Sequence, residues 1–120
     1  MLSFPPSVRI VLAAGVTDMR KSFDGLAAAT REVIGEDPLS GHVFVFCNRR
    51  RDRLKLLVWD RSGFWVFAKR LEQGTFAWPE RSDATRIEMS TRELMCLLEG
   101  IDISAVKLRR RMNRVRRIPA

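Results

Sequence analysis

The stretch from Gly41 to Arg70, GHVFVFCNRRRDRLKLLVWDRSGFWVFAKR, constrains the fold of this chain more than any other. Three short runs of β-branched, aromatic and aliphatic residues, Val43 to Cys47, Leu54 to Trp59 and Phe64 to Ala68, are separated by polar segments too short to carry a crossover helix. Only antiparallel strands are joined that tightly, so the pattern predicts a three-stranded meander. The first connection, Asn48 to Arg53, sets Arg49, Arg50, Arg51 and Arg53 against a single acid, Asp52, and one tip of the sheet should therefore be cationic. The second, Asp60-Arg61-Ser62-Gly63, has the composition of a tight turn in which Gly63 is expected to take the positive φ. Alternation along the strands is poor, which leaves neither face polar. A sheet apolar on both sides needs two covers: one from the chain's own helices, the other from the N-terminal segment or from a partner protein.

Outside the meander, Val8 to Ala13 reads as a strand. Thr17 stands at an N-cap position with Asp18 in the first turn, apolar residues recur at helical spacing from Met19 to Ile34, and Gly35 marks the stop. Gly25, in the middle of that helix, suggests close packing against the sheet. Phe76 and Trp78 lie two residues apart on an extended segment and are expected to anchor it on the core. Arg86 to Met89 is a short strand or extended lead into Ser90-Thr91-Arg92-Glu93, a capping box with Met89 and Leu94 as its hydrophobic staple. The expected fold is α+β: a single small domain over 1–103, with an antiparallel sheet formed by the meander (about 43–70) and an N-terminal strand. Two helices (about 18–34 and 91–99) pack on it, and a basic tail, 104–120, is disordered or an amphipathic helix.

The formal charge of +8 is concentrated. Seven basic residues and no acid lie between Lys107 and Arg117, while residues 1–106 carry 15 basic and 14 acidic groups. A second excess sits between Arg49 and Arg61, with six basic residues against two acids. Two separate cationic features point to a polyanion more strongly than a high isoelectric point does. Cys47 and Cys96, in a strand and a helix, read as small buried apolar residues, and one histidine, His42, completes no zinc spacing with them. No metal or other cofactor is expected. No apolar run reaches bilayer length and the start lacks a signal-peptide core, so a cytoplasmic chain without membrane association is expected. No Ser/His/Asp set, phosphate-cradling glycine loop or reactive-cysteine context is present, so no catalytic residue or small-molecule substrate is assigned. Asp18, Asp24, Asp52 and Asp60 are the carboxylates in suggestive positions, and a nuclease would need two or three of them to converge on a metal.

The strings Thr17-Asp18-Met19-Arg20-Lys21-Ser22-Phe23-Asp24-Gly25-Leu26, Asn48-Arg49-Arg50-Arg51-Asp52-Arg53, Gly63-Phe64-Trp65, Lys69-Arg70-Leu71-Glu72, Trp78-Pro79 and Leu97-Leu98-Glu99-Gly100 together resemble the TnpB accessory protein, the second open reading frame, of the insertion sequence 66 family of bacterial transposable elements. The likeness spans about residues 8–102. Val16 stands where a proline is expected, Cys47 where a basic residue is common, and Thr75 interrupts a glycine-basic-phenylalanine pattern. The resemblance implies a part in transposition beside a separate, larger transposase that cleaves and joins strands, and it carries over no catalytic residues. It also implies no relation to the RNA-guided nuclease that shares the name TnpB.

Two functions follow as expectations. In the first, a non-catalytic accessory protein of DNA transposition binds nucleic acid through the hairpin arginines Arg49, Arg50, Arg51 and Arg53. Arg20, Lys21, Lys69 and Arg70 extend the footprint, and Arg109, Arg110 and Arg111 in the tail clamp phosphates without regard to sequence. Beside this binding, or in its place, the accessory protein organises the transposase complex. In the alternative, the two-sided apolar sheet is a protein interaction module for the transposase or for another copy of the chain, with Trp59, Trp65 and Phe67 as anchors and no direct DNA contact.

Overall fold

A computed structural model describes residues 4–79 and 84–100. Five strands, β1 (Ile10–Ala13), β2 (Val43–Cys47), β3 (Arg53–Trp59), β4 (Phe64–Arg70) and β5 (Arg86–Met89), form one sheet in the order β4-β3-β2-β1-β5. The meander is as expected: β2 pairs antiparallel with β3 and β3 with β4. The N-terminal strand joins differently, because β1 runs parallel to β2, with Ile10 beside Val43 and Leu12 beside Val45. A parallel pair needs a crossover, and here helix α1 (Phe23–Ala29) and the π-helical turn Thr30–Ile34 that continues it supply the connection. β5 closes the other side antiparallel to β1. The fold is thus α+β with a mostly antiparallel sheet.

Strand alternation sorts the core onto two faces. Val11, Phe44, Phe46 and Leu57 point to one side, where Leu26, Ala27 and Ile34 of the α1 segment bury them. Ile10, Leu12, Val43, Val45, Leu54 and Leu56 point to the other, under Leu94 and Leu97 of helix α2 (Thr91–Leu98) and the rings of Phe76 and Trp78. Both covers therefore come from the chain itself, with Phe4 and Val8 adding to the α2 side. Phe76 and Trp78 are buried anchors, as their spacing suggested. α2 opens on the capping box expected from the sequence: the Ser90 hydroxyl accepts the Glu93 N–H at 3.1 Å, and the Ser90 N–H donates to the Glu93 carboxylate at 3.1 Å.

Three local expectations are corrected. The first helix begins at Phe23 rather than near Asp18, with Ser22 at the N-cap, because the preceding carbonyls are taken by a lysine from the sheet. The closest neighbour of a methyl added at Gly25 is the Lys21 side chain, whose Cβ would lie 3.0 Å away, rather than an atom of the sheet. In the β3–β4 turn the positive φ falls on Arg61 (85°), while Gly63 does not adopt one. Among the described residues no helix is long and apolar enough to cross a membrane. The basic tail, including Arg109, Arg110 and Arg111, lies outside the described residues.

Candidate nucleic-acid interface

The β2–β3 tip is built on the Asn48 amide. Its Oδ1 accepts the backbone N–H groups of Asp52 and Arg53, both at 3.1 Å, and its Nδ2 donates to the Asp52 carboxylate at 2.7 Å. Two further bonds brace the tip from outside: the Leu71 N–H donates to the Asp52 carbonyl at 2.8 Å, and the Phe76 N–H to the Arg51 carbonyl at 2.6 Å. A loop held from both sides loses little conformational entropy when it meets a ligand.

The four arginines of the tip are not displayed alike. Arg49, Arg50 and Arg53 are exposed. Arg51 sits at φ 61° and turns back, its guanidinium carbon 5.5 Å from the centre of the Trp78 ring and beside Cys47. Burial raises the Cys47 thiol above its ordinary range and Arg51 opposes that rise. Arg51 thus belongs to the packing of the α2 face, and the outward cluster expected from the sequence consists of three arginines.

The segment Thr17–Ser22 is brought to the tip by the sheet. The Thr17 N–H donates to the Cys47 carbonyl at 2.8 Å, and the Lys55 ammonium donates to the carbonyls of Met19 (2.9 Å) and Lys21 (2.8 Å). Within this segment Arg20 closes on Asp18 at 2.6 Å, and its hydrogen bonds hold the Asp18 carboxyl down at about 2. Lys55 was not among the residues singled out in the sequence. Its signal was there: it is the one charge within the apolar run Leu54–Trp59, at a strand position that faces α1.

Two open clefts result. One, about 370 Å³, lies between the tip and the Thr17–Ser22 segment and is lined by Thr17, Asp18, Met19, Arg49, Arg50 and Arg53 among others. The other, about 340 Å³, continues past Met19 and Arg53 to Lys55, Ala68, Lys69 and Arg70. Met19 and Arg53 line both, so the clefts form one surface. Its cations differ in availability. Arg70 pairs with Glu72 at 3.1 Å, and Lys69 donates to the Leu98 carbonyl at the end of α2 at 2.6 Å. Lys21 and Arg20 are exposed on the neighbouring segment.

The three aromatic anchors are not brought together. Trp65 and Phe67 stack at 5.9 Å on the α2 face, and the Trp65 indole N–H donates to Asp60 at 2.6 Å, which keeps that carboxyl below its usual range. Trp59 lies on the α1 face, edge-on to Phe64 at 5.0 Å. Three of the four carboxylates have local structural partners: Asp18 binds Arg20, Asp52 binds Asn48, and Asp60 takes the Ser62 and Gly63 N–H groups as well as Trp65, while Asp24 lies in the first turn of α1. Among the described residues no group of three His, Cys, Asp or Glu side chains is placed to hold a metal ion.

The family of IS66 Orf2 like proteins matches residues 8–108. Two proteins of Sinorhizobium fredii (strain NBRC 101917 / NGR234), both described as uncharacterized, are similar over most of their length. The protein y4hO is 41% identical over 102 residues, 85% of this chain and 88% of the relative. The protein y4jC is 37% identical over 100 residues, 83% of this chain and 85% of the relative. No solved structure matches the chain.

Proposed function

Because the chain belongs to the IS66 Orf2-like family, whose role is that of an accessory protein in transposition, we propose that it serves the reaction without catalysing it, by binding DNA along the surface that joins the two clefts. The observation that carries this reading is the braced tip: Arg49, Arg50 and Arg53 project from a hairpin whose backbone is tied at Asn48, Asp52 and Arg51. Arginine's planar fork suits phosphate oxygens and guanine edges, and a two-stranded ribbon fits a major groove. Lys55 acts indirectly, fixing the Thr17–Ser22 segment as the far wall of the first cleft. Arg20, Lys21 and Arg70 extend the phosphate contacts, and Arg109, Arg110 and Arg111 add sequence-independent attraction.

The test is a binding titration of the intact chain against the element's terminal sequences and against scrambled DNA over a range of salt concentrations. Replacing Arg49, Arg50 and Arg53 with alanine should flatten the slope of log affinity against log salt by about 3, roughly 0.9 for each phosphate no longer neutralised. A slope unchanged by the triple substitution would remove the hairpin from the interface. Absence of magnesium-dependent nicking by the pure protein is the companion expectation, and nicking abolished by Asp18→Asn would contradict it.

A second reading, docking on the transposase, is favoured by Trp65, which is 54% exposed beside Phe67. Tryptophan in such a position is a common energetic anchor of interfaces. Co-purification with the transposase that is abolished by Trp65→Ala and kept in the triple arginine variant would support it.

A further inference from the structure

The two edges of the sheet are unlike. β5 is four residues long and carries Arg86 and Glu88, which are tied into ion pairs with Glu36 and Arg9 at 2.6 and 2.8 Å. A short, charged edge of this kind resists pairing with another strand. β4 is seven residues long, and its first five, Phe64 to Ala68, carry no charge. Among the described residues it pairs with β3 alone. The Asp60 N–H bonds to the Gly63 carbonyl and the Leu71 N–H to the Asp52 carbonyl, which fixes the alternation between them. With Val58 opposite Trp65 and Leu56 opposite Phe67, those pairs bond inward. The backbone groups of Phe64, Val66, Ala68 and Arg70 face away from the sheet.

We propose that β4 is a self-association edge, through which two copies of this chain pair antiparallel about a two-fold axis at Phe67 and continue one sheet into the next. The occupant is a second copy because the strand complements itself. Full overlap in this sense sets Phe64 opposite Arg70, Trp65 opposite Lys69 and Val66 opposite Ala68, so each cationic residue meets an aromatic ring. The Lys69 ammonium is held by the Leu98 carbonyl at 2.6 Å, so its alkyl stem is the part that packs on the indole. Parallel pairing would instead set Lys69 beside Lys69 and Arg70 beside Arg70, which is repulsive. The Trp65–Phe67 stack, with its rings inclined by 11°, extends across the axis to the same two rings of the second copy. An isologous pairing of this sort closes at two copies and leaves the charged β5 edges outermost. This inference stands on the edge geometry and is independent of the nucleic-acid reading.

The test is light scattering and sedimentation on the full chain without nucleic acid, from micromolar to submillimolar concentration, with two variants. Ala68→Pro removes an N–H that points away from β3, so the internal ladder is kept. It should weaken self-association at least about tenfold with an unchanged far-ultraviolet dichroism spectrum. Phe67→Cys places a thiol at the axis in a non-bonded pair, where the Cα atoms lie about 4.5 Å apart, within disulfide range. It should cross-link on mild oxidation above the level of the parent chain, while Trp65→Cys, about 13 Å from its own copy by strand rise, should not. A parent chain that stays monomeric throughout overturns the proposal. So does a dimer that survives Ala68→Pro and is not cross-linked through Phe67→Cys, or a monomer that takes up a strand of the transposase at this edge.

Discussion

A positive φ of 61° turns Arg51 back over Trp78, while Arg49 and Arg50, the two residues before it, stay in solvent. Charge count alone gives all of these side chains one role, whereas the backbone gives them two. Arg51→Ala should therefore cost about 1–2 kcal/mol of stability in denaturant unfolding, because the guanidinium no longer covers the ring, and leave the salt slope of DNA binding unchanged. Arg49→Ala should do the reverse, with an unaltered midpoint and a slope reduced by about 1. Arg61 presents the other unfavourable φ, 85° in an exposed turn. Glycine tolerates that conformation, so Arg61→Gly should raise stability by up to about 1 kcal/mol in the same assay. Asp18 offers a pH test. Its carboxyl titrates at about 2 in the folded chain against an ordinary 3.8, because Arg20 hydrogen-bonds the ionised form. Its contribution is thus fully present above pH 3.8 and is lost as pH falls through about 2. Asp18→Asn should flatten the acid limb of stability against pH in that window, and nuclear magnetic resonance titration of the carboxyl checks the value directly.

At the level of elements, what could be read from the sequence was what its own neighbourhood decides. The capping box of α2 needs only Ser90 to Glu93, and Ser90→Ala should cost about 1 kcal/mol of stability in thermal or denaturant unfolding. The meander was equally legible, because its connections are too short for any other pairing. The start of α1 was not. It is decided by Lys55, distant in sequence, which binds the Met19 and Lys21 carbonyls and holds Thr17–Ser22 out of the helix. Lys55→Met should free that segment, seen as faster amide exchange from Asp18 to Ser22 with β3 still protected. The parallel pairing of β1 with β2 was hidden for a similar reason: a strand's pattern records which faces are buried, not the direction of its neighbour. The split of Trp59 from Trp65 and Phe67 follows from alternation once the β3–β4 register is known, and that register is set by the turn. In the candidate site, the arginine tip and the cations of β4 were foreseeable as charged segments. Their union with Thr17–Ser22 into one surface depends on the long-range bonds from Cys47 and Lys55.

For the whole molecule, the sheet separates two kinds of surface. The joined clefts collect exposed arginines at the end of the sheet where β2 turns into β3, and the uncharged half of β4 lies toward the other hairpin. On the two proposals above, such a molecule holds a polyanion at one end and a second copy of itself along its β4 edge, and so acts by gathering components. Both surfaces draw on Arg70 and Lys69, so substitutions at these two positions are expected to disturb more than one property. Arg49, Arg50 and Arg53 avoid that overlap. The most direct measurement is accordingly the salt dependence of DNA binding by the intact chain beside the variant in which Arg49, Arg50 and Arg53 are alanine. A steep slope is expected for the parent and one flatter by about 3 for the variant, at unchanged fold. Identical slopes, or no binding at low salt by either protein, would contradict it.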